Sequence, residues 1–103
     1  MKRISDRQKR KNMTIAKIKR DLIEETGNVC RICGNYGNET AHLLPKGGQY
    51  CQYYTEPRNL VILCHSCHVL YDNDILFRRE QESLKSQILE FAFQHEVNNY
   101  FDL

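Results

Sequence analysis

Cys30 and Cys33 form one C-x-x-C pair and Cys64 and Cys67 a second, and among them stand three polar residues of types used in catalysis, His42, Asn59 and His68. Two such pairs supply four thiolates, the complete tetrahedral shell of a structural zinc ion, so the segments that carry them must meet in the fold. The 30 residues between Cys33 and Cys64 then form a clamped loop. That loop is longer than a minimal zinc ribbon needs and has room for two strands.

Four stretches taken together, Cys30-Arg31-Ile32-Cys33-Gly34, Ala41-His42-Leu43-Leu44-Pro45, Asn59-Leu60-Val61-Ile62-Leu63-Cys64 and Cys64-His65-Ser66-Cys67-His68, resemble the motifs of the HNH nucleases. These are a branch of the ββα-metal (His-Me finger) endonucleases, and the resemblance covers roughly residues 15–75. It implies an α+β fold with a small ββα-metal core, stapled by the four-cysteine zinc site and flanked by N- and C-terminal helices. It also implies metal-dependent hydrolysis of DNA phosphodiester bonds. Under it His42 is the general base, a role that suits an imidazole with an ordinary pKa near 6.5. The Asn59 amide either holds the strands and the base histidine in register or ligates the metal. His68 is a ligand of a catalytic divalent cation, Mg²⁺, Mn²⁺ or another, separate from the structural zinc. Asp72 lies four residues beyond His68 on the same helical face, and is either a second ligand or a cap for the next helix. The small size resembles free-standing HNH proteins of bacteria and their phages.

One position departs from the family. Many members place Asp or His directly before the base histidine as a metal ligand, and this chain has Ala41 there. Glu39, two residues back along the strand, or Asn59, Asp72 and substrate oxygens would then have to complete the shell. The departure supports a second reading, a non-catalytic zinc-knuckle module that binds DNA or a protein partner. A thiol–disulfide exchanger is disfavoured, because the two pairs explain each other as one zinc site and the βα context of a redox C-x-x-C is missing.

The elements that must position these residues are legible in outline. Residues 5–26 read as a helix, with a capping box at Ser5-x-x-Gln8, an apolar stripe at Ile15, Ile18 and Leu22, and a stop at Gly27. Its cation-rich first turns oppose the helix dipole, so order is expected from about Thr14. Glu39–Leu44, ended by Pro45, and Leu60–Leu63 read as strands able to pair antiparallel. Residues 46–58 form a long loop with Gly47-Gly48 and three tyrosines, Tyr50, Tyr53 and Tyr54, which either pack on the body or contact nucleic acid. His65 to about Asp72 is the expected helix of ββα, and the spacing of Leu76, Phe77, Leu84, Ile88, Phe91 and Ala92 predicts one amphipathic helix over 74–98. The chain divides into a basic arm and helix (1–26), a zinc-stapled core (27–73) and a C-terminal helix (74–103), all within a single domain. Cys51 has no partner at metal spacing and reads as a free thiol.

Charge is distributed unevenly. Residues 1–20 hold nine Lys and Arg against Asp6 alone, and the other 83 residues hold six against twelve Asp and Glu. A basic arm on an acidic body points to a polyanion, and DNA is the expected partner. The basic N-terminus lacks the apolar core of a signal peptide, and the cysteine count of five is odd, so an intracellular, cytoplasmic setting is expected over a disulfide scaffold. No apolar run approaches the roughly 18 residues needed to cross a bilayer, so no membrane association is expected.

Overall fold

The computed structural model describes residues 5–102, which fold as α+β. Helix α1 spans Asp6–Thr26, and Ser5 fastens its first turn by accepting the Gln8 N–H at 3.1 Å. Only half of the expected capping box forms, because the Gln8 amide donates forward to Asn12 Oδ1 at 2.9 Å. The expectation of order from about Thr14 is corrected: the Ser5 cap and Asp6 in the first turn offset the adverse cations, and the helix starts at Asp6. Gly27 ends it at a φ of 79°, a conformation that costs any residue with a side chain. Lys2 and Arg3 of the basic arm lie outside the described residues.

Strand β1, Glu39–His42, pairs antiparallel with β2, Leu60–Leu63, in the register Glu39–Leu63, Thr40–Ile62, Ala41–Val61 and His42–Leu60. The expected extension of β1 to Leu44 is corrected. The strand stops two residues earlier because the Asn59 side chain takes over the pairing there, accepting the Leu44 N–H at 2.8 Å. Two 3₁₀ helices, Gly48–Tyr53 and Pro57–Asn59, occupy much of the expected loop between the strands. Helix α2 then runs from His65 to Asn73.

The single C-terminal helix is corrected to three short ones: α3, Ile75–Arg79; α4, Glu82–Ile88; and α5, Gln94–Phe101. Asp74 caps α3 by accepting the Leu76 and Phe77 N–H groups, which assigns Asp74, not Asp72, to the capping role. Phe93 at the start of α5 is extended (φ −92°, ψ 155°), so a continuous helix cannot pass through it. Breaking the helix lets Leu84, Ile88, Val97 and Phe101 all enter one core with Ala41, Leu43, Val61, Leu63 and Tyr71, while Leu76 is left exposed.

α1 packs along β2 and α2 along β1. The buried Arg78 guanidinium ties α2 to α5, donating to the carbonyls of Tyr71, Asp72 and Tyr100 at 2.8–2.9 Å. Those acceptors lie at the C-terminal ends of their helices, where unpaired carbonyls gather negative potential, so a buried cation is satisfied there without a carboxylate. Among the described residues no helix is long and apolar enough to cross a membrane.

Candidate functional site

The two C-x-x-C segments meet. The sulfurs of Cys30, Cys33, Cys64 and Cys67 all lie within 4.8 Å of one another, and Cys33 Sγ is 3.7 Å from Cys64 Sγ. Four sulfurs each about 2.3 Å from a central zinc would be about 3.8 Å apart, so these four residues are positioned to hold a metal ion such as zinc. Local backbone builds each half. In the first knuckle the Gly34 N–H returns to the Cys30 carbonyl with φ at 80°; in the second, Cys64 caps α2, its sulfur accepting the Cys67 N–H. Arg31 donates its N–H to the Ile62 carbonyl at 2.9 Å and so joins the first knuckle to β2.

The thiols pull against one another. Burial raises Cys30, but backbone N–H groups of Cys33, Cys64 and Ile32 outweigh it and hold the thiol at about 6. Cys67 is driven upward by burial and by the neighbouring sulfurs. Crowded thiolates repel, so all four ionise together only around a cation.

Gly37 belongs to no motif, yet the site depends on it. A Cβ there would stand 2.9 Å from the Leu63 backbone carbon, 3.0 Å from Cys64 N and 3.1 Å from Cys30 Cα. The close approach of both knuckles therefore requires glycine.

His42 sits at the end of β1, buried, with its Nε2 3.0 Å from the Tyr54 carbonyl oxygen. A carbonyl only accepts, so Nε2 carries the proton and Nδ1 of the neutral ring holds a free lone pair. His42 Nδ1 is buried and has no protein partner. Burial lowers the imidazole pKa below its ordinary 6.5; the Tyr54 bond opposes this and the Lys46 charge adds to it. Three further bonds fix the segment after His42. Leu43 donates to the Asn59 carbonyl at 2.8 Å, the Leu43 carbonyl accepts from the buried Tyr71 hydroxyl at 2.6 Å, and the Asn59 amide donates to the Leu44 carbonyl at 3.2 Å. Asn59 also donates to the Tyr53 carbonyl at 3.2 Å. Both Asn59 amide hydrogens are thus donated and its oxygen accepts, so the side chain ties the backbone of Leu44 and Tyr53 to the start of β2.

His42, His68 and Asp72 line one open cleft of about 480 Å³, together with Thr40, Pro45, Lys46 and Tyr100. His68 Nδ1 lies 2.8 Å from Glu39 Oε1, and His68 Nε2 lies 3.3 Å from Asp72 Oδ2. The other Glu39 oxygen takes His65 Nδ1 at 2.9 Å, so Glu39 is engaged by two imidazoles and is not a free ligand for the cleft. Bonds from His68 and then His65 hold the Glu39 carboxyl below its ordinary range, so it is an ionised acceptor at neutral pH. His68 Nε2 and Asp72 Oδ2 are close enough to share one ion. Two ligands about 2.1 Å from one ion are about 3.0–3.4 Å apart at octahedral or tetrahedral angles, which the His68–Asp72 pair fits.

Ala41, directly before His42, is fully buried in the core. Among the described residues the four-cysteine cluster is the one set of three or more His, Cys, Asp or Glu donors within mutual reach of a metal, so the cleft offers His68 and Asp72 as a pair. Cys51 is exposed and stands outside that cluster. Tyr50 is buried and Tyr53 donates to Glu96 at 2.7 Å, so these two rings pack inward instead of offering faces to bases. Tyr54 contributes its carbonyl to His42, and its ring lies 5.0 Å beneath the Lys11 ammonium of the basic helix. No protein-family model matches the chain, and no curated protein or solved structure matches it either.

Proposed function

We propose that this chain is a metal-dependent endonuclease of the HNH type, acting on DNA, with β1, β2 and α2 as its ββα-metal core and zinc at the four cysteines. The observation that carries this reading is the His42 imidazole, whose residue lines the same cleft as the His68–Asp72 pair, and which donates its Nε2 proton to Tyr54 and keeps a buried, unpartnered Nδ1. A structural histidine would use both nitrogens. One held by its far nitrogen alone is oriented to take a proton.

In the proposed reaction His42 Nδ1 accepts a proton from water as the water oxygen bonds to phosphorus, and the P–O bond to the leaving sugar oxygen breaks. The imidazolium that results is stabilised through Nε2–H by the Tyr54 carbonyl. A divalent cation at His68 and Asp72, when bound, neutralises charge on the phosphate and stabilises the leaving oxygen. Two protein donors suit a hard ion that keeps water and takes substrate phosphate oxygens, as Mg²⁺ does. Lys46 brings positive charge to the cleft, and α1 brings Arg7, Lys9, Arg10, Lys11, Lys17, Lys19 and Arg20 to the same molecule, with Lys11 reaching the Tyr54 ring. These charges suit the phosphate backbone of DNA, which is bound without regard to sequence.

The buried Ala41 favours a second reading, a zinc-knuckle module that binds DNA without cutting it. Incubating supercoiled plasmid with the zinc-loaded protein separates the two. Nicking or linearisation that requires added Mg²⁺ or Mn²⁺ is expected; binding without cleavage across Mg²⁺, Mn²⁺, Co²⁺ and Ni²⁺ selects the module.

A further inference from the structure

Glu39 stands where its two carboxylate oxygens meet two imidazoles of one helix. Oε1 takes His68 Nδ1 at 2.8 Å and Oε2 takes His65 Nδ1 at 2.9 Å. β1 thereby grips α2 at two points one turn apart, next to the second zinc knuckle. An ionised carboxylate has no proton to give, so its bond to His68 requires Nδ1 to be the protonated nitrogen. The remaining nitrogen, Nε2, is then unprotonated in the neutral ring, and it is the atom beside Asp72 Oδ2, at 3.3 Å.

We infer that Glu39 is a positioning residue for the cleft: it locks His68 in the Nδ1–H tautomer and orients the ring so that Nε2 and Asp72 together present a two-ligand site to a divalent cation, while His65 holds the second Glu39 oxygen. Ligating histidines commonly donate their other N–H to a carboxylate, which fixes the tautomer and raises ligand basicity, and removal of such a partner lowers metal affinity about 10–100-fold. The sequence pattern offered Glu39 as a direct ligand. The register of β1 against α2 instead places it behind the ligand. Asp72 is left as the carboxylate of the site, in keeping with the small residue at position 41. The inference rests on the proposed metal-dependent reading for its purpose, and its test does not depend on cleavage.

The test uses zinc-loaded wild type, Glu39→Ala, Glu39→Gln and His65→Ala, each checked for one zinc per chain and native circular dichroism. Long-range proton–nitrogen correlation spectra at pH about 8, where an unperturbed imidazole is neutral, report the His68 tautomer. Mn²⁺ titration followed by the electron paramagnetic resonance of the free ion reports affinity. Wild type is expected to show the Nδ1–H tautomer and to bind Mn²⁺. Glu39→Ala is expected to lose that tautomer preference and to bind Mn²⁺ about 10–100-fold more weakly. Glu39→Gln, whose amide oxygen can still accept from Nδ1–H, is expected to keep the tautomer with a smaller loss of affinity, and His65→Ala to fall between wild type and Glu39→Ala. A wild-type Nε2–H tautomer, absent Mn²⁺ binding by wild type, or unchanged tautomer and affinity in a folded Glu39→Ala protein would overturn the inference. Glu39-dependent Mn²⁺ binding without any DNA cleavage would leave it standing and count against the nuclease. Cleavage by a Glu39→Ala protein with wild-type Mn²⁺ affinity would do the reverse.

Discussion

The Nε2 atom of His42 lies 3.0 Å from the carbonyl oxygen of Tyr54, and that bond determines which side of the imidazole can take a proton. Tyr54 in turn lies under Lys11 of α1, and its ring centroid is 5.1 Å from that of His42. A side chain of the basic helix is thus separated from the proposed base by a single residue. Substrate contact along α1 and proton transfer at His42 would therefore be neighbouring events.

The first expectation concerns pH. Burial holds His42 below 6.5, with Lys46 adding to the effect against the Tyr54 bond. A base works in its neutral form, so the acid limb of cleavage should fall below pH 6.5 and not at it. Stability should follow the same sign. As pH falls below about 6.5 the unfolded chain protonates this histidine first, and folding is progressively weakened between that pH and the lower folded-state value. An NMR titration of the His42 ring checks both, and a midpoint at or above 6.5 would contradict them.

Much of this site is legible in the residues themselves. The cysteine spacing announces the four-cysteine cluster, and the apolar run Leu60–Leu63, with β-branched Val61 and Ile62 at its centre, marks β2 with its observed bounds. What stays hidden depends on tertiary register or on backbone atoms. Tyr54 acts through its carbonyl, which every residue has, so its identity carries no signal. The role of Glu39 follows from α2 lying along β1 so that His65 and His68 both face it. The C-terminal periodicity reads as one helix because three short helices that return to the same core preserve much of the same apolar spacing. Only the non-helical backbone at Gln81 (φ −88°, ψ 72°) and the extended one at Phe93 expose the breaks.

Removing the metal from the four-cysteine cluster should cost the fold. Structural zinc in small finger peptides binds with about 10–16 kcal/mol of apparent free energy, which equals or exceeds the stability of a typical small domain. Metal analysis should find one tightly held zinc per chain, and a strong chelator or Cys64→Ser should abolish the cooperative thermal transition. A metal-free protein with unchanged far-ultraviolet circular dichroism and unchanged Tm would defeat the assignment.

Asn59→Ala should destabilise the zinc-loaded protein by about 3 kcal/mol or more, because it strands the buried Leu44 N–H and the carbonyls of Leu44 and Tyr53, at roughly 1–3 kcal/mol for each stranded buried group. Urea denaturation measures this. Mn²⁺ affinity of the folded variant should stay within a few-fold of wild type, since the Asn59 amide is already spent on backbone groups. A large, selective loss of Mn²⁺ binding with normal stability would make Asn59 a ligand instead.

The basic helix should supply affinity without reading sequence. Arg10→Gln combined with Lys17→Gln should weaken duplex binding and flatten the slope of log K against log salt by up to roughly 0.9 for each phosphate no longer neutralised. Zinc content should be unaffected. An unchanged slope would remove these two residues from the interface.

If His42 is the base of a nuclease, plasmid cleavage by His42→Ala beside wild type, in Mn²⁺ or Mg²⁺, with zinc content and DNA affinity determined on the same samples, should show it. Wild type is expected to nick in a metal-dependent way. The variant is expected to lose at least about 100-fold in rate, in line with the usual worth of a positioned general base, with zinc and DNA binding retained. Cleavage by His42→Ala at the wild-type rate, or no cleavage by well-folded wild type under any divalent ion, would contradict that role.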